Sequence, residues 1–238
     1  GNEVARSIAP KNYPMGNWIG YSMDKEVILE RYWEQVTNCM NTVQWWRWDN
    51  LNGYHGFISP TFSPFKGVQE FIDDTQVIRD GLGNLLMDSD MQDDEVAMLY
   101  SMPSTYIAHF DGNRSYGDYK RDHSLWYKSL HDSGVQFRYV TDRMMRLGEF
   151  DADRYKVLIL PLAFAMSEKE AQVITSFVEN GGTVIADVRP ATYDGHCKPL
   201  EKGLLDDLFG ITRKGKQDAM PIDRVRINGE LEGVKFFM

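Results

Sequence analysis

Between residues 44 and 56 the chain reads QWWRWDNLNGYHG, with three tryptophans and an arginine in four consecutive positions, followed by Asp49, Asn50, Asn52 and His55. Aromatic rings offer flat apolar faces that can stack on the C–H face of a sugar. Asn, Asp, Arg and His can exchange hydrogen bonds with its hydroxyls. A carbohydrate site needs both together, which nominates Trp46, Arg47, Trp48, Asn52 and His55 as sugar contacts. The competing reading packs Trp45 and Trp46 between a strand and a helix, with Arg47 snorkelling or pairing locally.

Either reading needs a strand beneath these residues. The run 42–48 is strand-like and ends in polar loop residues. In an α/β barrel, site residues sit where strands end, so Trp48, Asp49, Asn50, Asn52 and His55 would emerge at the active face. Upstream, residues 2–21 are rich in Pro, Gly and Asn and read as strand ends and loops. From Asp24, which can cap a first turn, Val27, Ile28, Tyr32, Trp33, Val36 and Met40 fall near one helical face. A second helix is expected over residues 66–86, carried by Val68, Phe71, Ile72, Thr75, Ile78, Leu82, Leu85 and Leu86.

The opening segment is too short to be a barrel, since roughly 65 residues supply about two of its eight strands. A retaining glycosidase needs two carboxylates about 5 Å apart on different strands. Only Glu3 lies among the opening residues, and nothing sets it opposite a second acid. The chain is therefore expected to lack a catalytic pair.

At residues 88–95, DSDMQDDE breaks the helical pattern. It lacks the turn glycine and spaced terminal glutamate of an EF-hand loop, so a solvated linker is expected instead, with a domain boundary there. Beyond it, strand-like runs at 95–101, 135–140, 155–166 and 183–188 alternate with helical segments at 118–133 and 167–180. Ser167 and Glu170 form a capping box, and Gly181-Gly182 ends that helix. The alternation predicts an α/β fold with a flavodoxin-like doubly wound parallel sheet. Ser101, Ser104 and Thr105 follow its first strand and could touch a phosphate, but no Gly-rich turn leads into a helix there. A class I glutamine amidotransferase has this architecture with a cysteine on a sharp strand-to-helix turn. The matching turns here have none, and Cys197 with its sequence neighbour His196 does not make a dyad. Asn228-Gly229, between two strand-like runs, reads as a hairpin turn.

The formal net charge of −9, without a long Lys/Arg run, argues against a nucleic-acid backbone as partner. The longest apolar run, 157–166, is about half of a bilayer span and contains Pro161, so no membrane partner is expected. No charged-then-apolar leader opens the chain. Cys39 and Cys197 form neither a disulfide framework nor a zinc spacing. No cofactor or metal is expected, and the compartment is left open.

The order of features resembles the end of the catalytic (β/α)8 barrel and the trimerisation domain of the family-42 glycoside hydrolases, the β-galactosidases. The resemblance runs from about Trp18 to Thr212 and is carried by W-R, G-x-H-G, the block YKVLILPLAFAMSEKEAQVITSFVENGGTVIADVRPATYD and GLLDDLFGIT. It implies a retaining mechanism with two barrel glutamates, neither of them here. It also implies a β-galactoside or related carbohydrate as substrate, and a homo-oligomer, a trimer. The family's last barrel loop carries W-R and then a glutamate three residues before a histidine, both contacting galactose. Trp46-Arg47 or Arg47-Trp48 matches the first element and His55 the histidine, while the glutamate falls on Asn52. The resemblance divides the chain into a barrel end with a connecting helix at 1–87, an amidotransferase-like domain at 95–212 and the start of a β-rich segment at 213–238.

Overall fold

The computed structural model describes residues 2–10, 13–48, 56–110 and 119–213. Among these residues the fold is mixed α/β, with two parallel sheets. Helix α1 (Asn2–Ile8) opens it where the sequence suggested strand ends and loops. Its residues carry no helix breaker, and Glu3 pairs with Arg6 one turn on, on a helix and not a strand.

Strand β1 (Trp18–Gly20), helix α2 (Lys25–Thr37) and strand β2 (Gln44–Trp46) then form one β-α-β unit with its strands parallel. The Asp24 carboxylate caps α2, accepting from the Glu26 and Val27 amides at 2.9 and 3.2 Å. Strand β2 is shorter than the run 42–48, because its only described sheet partner, β1, is itself three residues long. One face of the pair, Ile19 and Trp45, packs on α2 and on α3 (Lys66–Asp74) in a cluster with Ile28, Phe57, Val68 and Phe71. Trp45 stacks on Tyr32 and meets Phe57 and Phe71 edge-on, the core role expected for it.

The expected helix over 66–86 is not continuous. It breaks after α3, passes through a π-helical turn at Ile78–Leu82 where Gly81 has φ 135°, and resumes as α4 (Gly83–Met87). Leu85, Leu86 and Met87 are exposed, so the apolar periodicity there does not report a buried face.

The acidic run after α4 is only partly solvated. Asp93 bridges Arg138 and Arg154, and Gln136 donates its amide to the Asp94 carboxylate at 2.7 Å. The run ties the start of the second sheet to that sheet's own amino-terminal end.

That sheet comprises β3 (Val96–Tyr100), β4 (Phe137–Thr141), β5 (Val157–Leu160) and β6 (Thr183–Ala186), all parallel in the order β4-β3-β5-β6. Helices α5 (Met102–Phe110), α6 (Tyr119–Asp132), α7 (Asp142–Leu147) and α8 (Glu168–Glu179) connect the strands, and α9 (Asp206–Phe209) follows. The segment after β3 is the helix α5, where no helix was expected, and α7, opened by the Thr141 cap and closed by Gly148 at φ 75°, was not expected either. The capping box of Ser167 and Glu170 is present. Leu99, Val140, Leu158, Leu160, Ile174 and Phe177 form part of the core on one side of the sheet. Met98, Phe137, Tyr139 and Ile159 form a core on the other.

Helix α1 covers the outer edge of β4. Arg6 donates to the Phe137 carbonyl at 3.0 Å, and the Tyr139 amide donates to Ser7 Oγ at 2.9 Å. Side chains thus occupy groups that an open edge would offer to another strand.

Candidate functional site

The carboxyl ends of β1 and β2 are the first place where chemistry could gather. Side chains alternate across a strand, so the face opposite Ile19 and Trp45 carries Trp18, Gly20, Gln44 and Trp46. Trp46 and Trp48 are each 51% exposed, which separates them from half-buried Trp45 and leaves their rings accessible. The chain passes beside them again at Phe57 and Ile58, whose amides donate to the Arg47 and Trp48 carbonyls at 3.0 and 2.8 Å. Trp48 leans on Phe57, ring centroids 6.1 Å apart. From α2, Arg31 donates to the Gly20 carbonyl at 2.8 Å, placing a guanidinium at the end of β1.

The structure therefore brings Trp46, Arg47 and Trp48 to one strand end. Asn52 and His55 lie outside the described residues. Trp18 and Tyr21 were not singled out from the sequence, yet both line an open cavity of about 300 Å³ with Gln44, Trp45 and Trp46. The signal was the pairing of two strands, which a single-strand motif does not contain. Among the described residues no carboxylate lines this cavity, and Glu3 is occupied with Arg6 on α1.

The second place is the crevice at the carboxyl ends of β3 and β5, where a doubly wound sheet reverses its strand order and holds ligands. Here the chain fills it. Leu162, Phe164, Ala165 and Met166 follow β5 and are all buried, part of the 155–166 run that looked like strand. Ser104 Oγ donates to the Ala165 carbonyl at 3.2 Å and accepts from its amide at 3.1 Å, and Ser101 Oγ lies 2.9 Å from Ser104 Oγ. Both serines are buried, so hydroxyls that could have touched a phosphate hold the protein's own loop instead.

The turn after β5 keeps a strained backbone, with Leu162 at φ 40°. This sharp turn carries a leucine where a nucleophile would need an exposed heteroatom. Asp187 holds it, accepting from the Leu162 amide at 2.6 Å and from Trp126 Nε1 at 3.4 Å. Burial raises the Asp187 pKa despite these bonds. Cys197 is half-buried beside the Pro103 carbonyl, and burial raises its thiol pKa, the opposite of what a nucleophile needs. Among the described residues no group of His, Cys, Asp and Glu is arranged to hold a metal ion.

Comparison with known families decides the second half. Residues 94–234 match the model of the β-galactosidase trimerisation domain, more than half of the chain. The chain belongs to this family. No curated protein matches it. Among solved structures it is similar to Gan42B, a GH42 β-galactosidase from G. stearothermophilus, with TM-score 0.68, 19% identity, and 87% of this chain covered against 31% of that one. The β-galactosidase from Bacillus circulans sp. alkalophilus gives TM-score 0.66 and 19% identity over 77% of this chain and 27% of its own. An exo-carrageenase GH42 from Bacteroides ovatus gives 0.61 and 14% over 85% and 28%. At these identities the likeness shows a shared fold, and the chain spans less than a third of each of these three solved proteins.

Proposed function

We propose that this trimerisation-domain chain works as part of a retaining β-galactosidase-like glycoside hydrolase and does not hydrolyse sugars alone. In this reading residues 1–87 are the last strand and helix units of the catalytic (β/α)8 barrel with a connecting helix. Residues 95–212 are the assembly domain, and 213–238 begin a β-rich segment. The observation that carries the reading is the parallel β1-α2-β2 unit, with Trp46 and Trp48 exposed at its carboxyl end, preceding the matched domain in one chain. Trp46, Arg47, Trp48, Asn52 and His55 would contact the sugar, as the spacing of the QWWRWDNLNGYHG stretch suggests. A neutral Asn52 can still hydrogen-bond a hydroxyl but cannot act as a charged partner. Because a carrageenase shares the fold as closely as some galactosidases do, galactose itself is the more specific part of the proposal.

That no carboxylate lines the cavity among the described residues favours a second reading, a non-catalytic assembly or carbohydrate-binding module. Light scattering coupled to size exclusion, together with hydrolysis of a nitrophenyl β-galactoside, tests both readings. The first expects a trimer that is inactive alone and gains activity when a barrel segment bearing two glutamates is supplied. A trimer that stays inactive with that segment supports the second reading, and a monomer sinks the assembly role.

A further inference from the structure

Helix α1 meets the outer edge of β4 through two side chains that act as backbone. A strand laid along that edge would engage the Phe137 carbonyl and the Tyr139 amide with the N–H and C=O of one of its residues. Here Arg6 supplies the donor to the Phe137 carbonyl at 3.0 Å, and Ser7 Oγ accepts from the Tyr139 amide at 2.9 Å. Consecutive helical residues thus imitate one residue of a neighbouring strand. Val4 packs on the core of Met98, Phe137 and Tyr139, and Arg6 is buried beside Met91 Sδ. The seat is not free of cost, because Arg6 Nε is buried without a hydrogen-bond partner among the described residues. Helix α1 has only seven residues, whereas isolated helices shorter than about 12–15 are marginal in water, so its shape depends on the seat.

We propose that α1 is a displaceable guard on a latent strand-pairing site, and that the partner this edge takes once α1 leaves is β4 of a second copy. Strand edges are a recurring recognition surface, and this one is self-complementary. About a two-fold axis passing by Arg138, the Phe137 carbonyl of each copy falls opposite the Tyr139 amide of the other, the paired-bond pattern of an antiparallel ladder. The axis sets Arg138 against its own copy, but Asp93 already pairs with it at 2.8 Å and offsets the like charge. Seating of α1 therefore decides whether copies join edge to edge, a contact separate from any interface that builds the family's oligomer. The inference is independent of the sugar-contact and trimer readings, because its outcomes are read relative to the parent chain.

The test unseats α1 in the full chain with the double substitution Val4→Asp and Arg6→Ala, which loses the apolar anchor and the donor together. Light scattering after size exclusion reads the mass, and hydrogen exchange reads the Tyr139 amide. The guard predicts about twice the parent's mass whatever the parent's own state, with the Tyr139 amide protected again across the new pair. A synthetic peptide of residues 2–10 added in excess should return the mass to the parent's. Ser7→Ala, which removes one acceptor and little packing, should speed Tyr139 exchange about tenfold and give a doubling that grows with concentration. An unchanged mass while the Tyr139 amide exchanges fast overturns the pairing site, and a doubled mass with that amide still fast places the contact elsewhere and overturns it too. Tyr139 exchange unaltered by Ser7→Ala overturns the guard. If far-UV circular dichroism shows the double variant unfolded, Ser7→Ala decides alone, and fast exchange without any doubling counts against the proposal.

Discussion

His123 on α6 offers a quantitative test of how the second sheet is packed. Its side chain lies among Tyr100, Tyr119 and Tyr139, with the Tyr119 ring centroid 4.2 Å away, and neither ring nitrogen has a hydrogen-bond partner among the described residues. Burial lowers its pKa to about 4 from 6.5, so the folded protein holds a neutral imidazole where the unfolded chain binds a proton. Stability is then whole above pH 6.5 and falls as the pH drops towards 4, because the unfolded state takes up the proton first. With one pKa unit equal to 1.36 kcal/mol, the loss is about 2 kcal/mol at pH 5 and levels off near 3 kcal/mol below pH 4. Replacing His123 by Phe keeps an aromatic ring and removes both unpartnered nitrogens and the proton site. Urea unfolding at pH 7.5, 6 and 5 should show the advantage of His123→Phe over the parent growing by about 2 kcal/mol between the first and last. NMR titration of the His123 ring should give a midpoint well below 6. A pH-independent difference between the two proteins, or a ring titrating near 6.5, would refute the account of a buried, unpartnered imidazole.

Three further perturbations test the same packing. At Gly182 a Cβ would meet the buried Phe177 ring at 2.4 Å, so Gly182→Ala should cost about 1–3 kcal/mol in chemical denaturation; a neutral result would mean the ring has room to move. Asp187→Ala strands the buried Leu162 amide and the Trp126 indole N–H, and should cost about 2–4 kcal/mol, with Asp187→Asn recovering part because an acceptor oxygen remains; equal melting temperatures for the two would count against it. Asp206 accepts from two guanidinium nitrogens of Arg213 and from the Gly203 amide while itself buried, so Asp206→Ala should cost about 3 kcal/mol and speed proteolysis after Arg213.

The second sheet was legible because each strand is short, apolar and followed by punctuation that only one backbone arrangement satisfies. The capping box at Ser167 and Glu170 and the two glycines after α8 fix one helix to within a residue. Elements whose stability comes from elsewhere in the molecule were not legible. Helix α1 is held by its seat on the β4 edge, and nothing in its own seven residues announces that contact. The run 155–166 looked like one long strand because hydrophobicity reports burial and not conformation. Half of it is the buried turn and loop that seal the crevice. The π-helical break at Gly81 was missed because an apolar period continued across it.

The candidate site divides along the same line. A motif on one strand could nominate Trp46 and Trp48, because exposure at a strand end follows from position alone. It could not nominate Trp18 and Tyr21, which join the site only through the parallel register of β1 with β2. Nor could it show that the doubly wound sheet had spent its ligand crevice. Ser101 and Ser104 look like ligand contacts until the loop from Leu162 to Met166 is seen to take their hydrogen bonds. Filling that crevice has a physical consequence. A ligand-binding sheet must keep polar groups unsatisfied until its ligand arrives, whereas this one satisfies them internally and buries Leu162 at the strained turn. Such an arrangement trades a site for a crevice already closed, and a closed, ordered crevice serves a domain whose family role is assembly better than one whose role is chemistry.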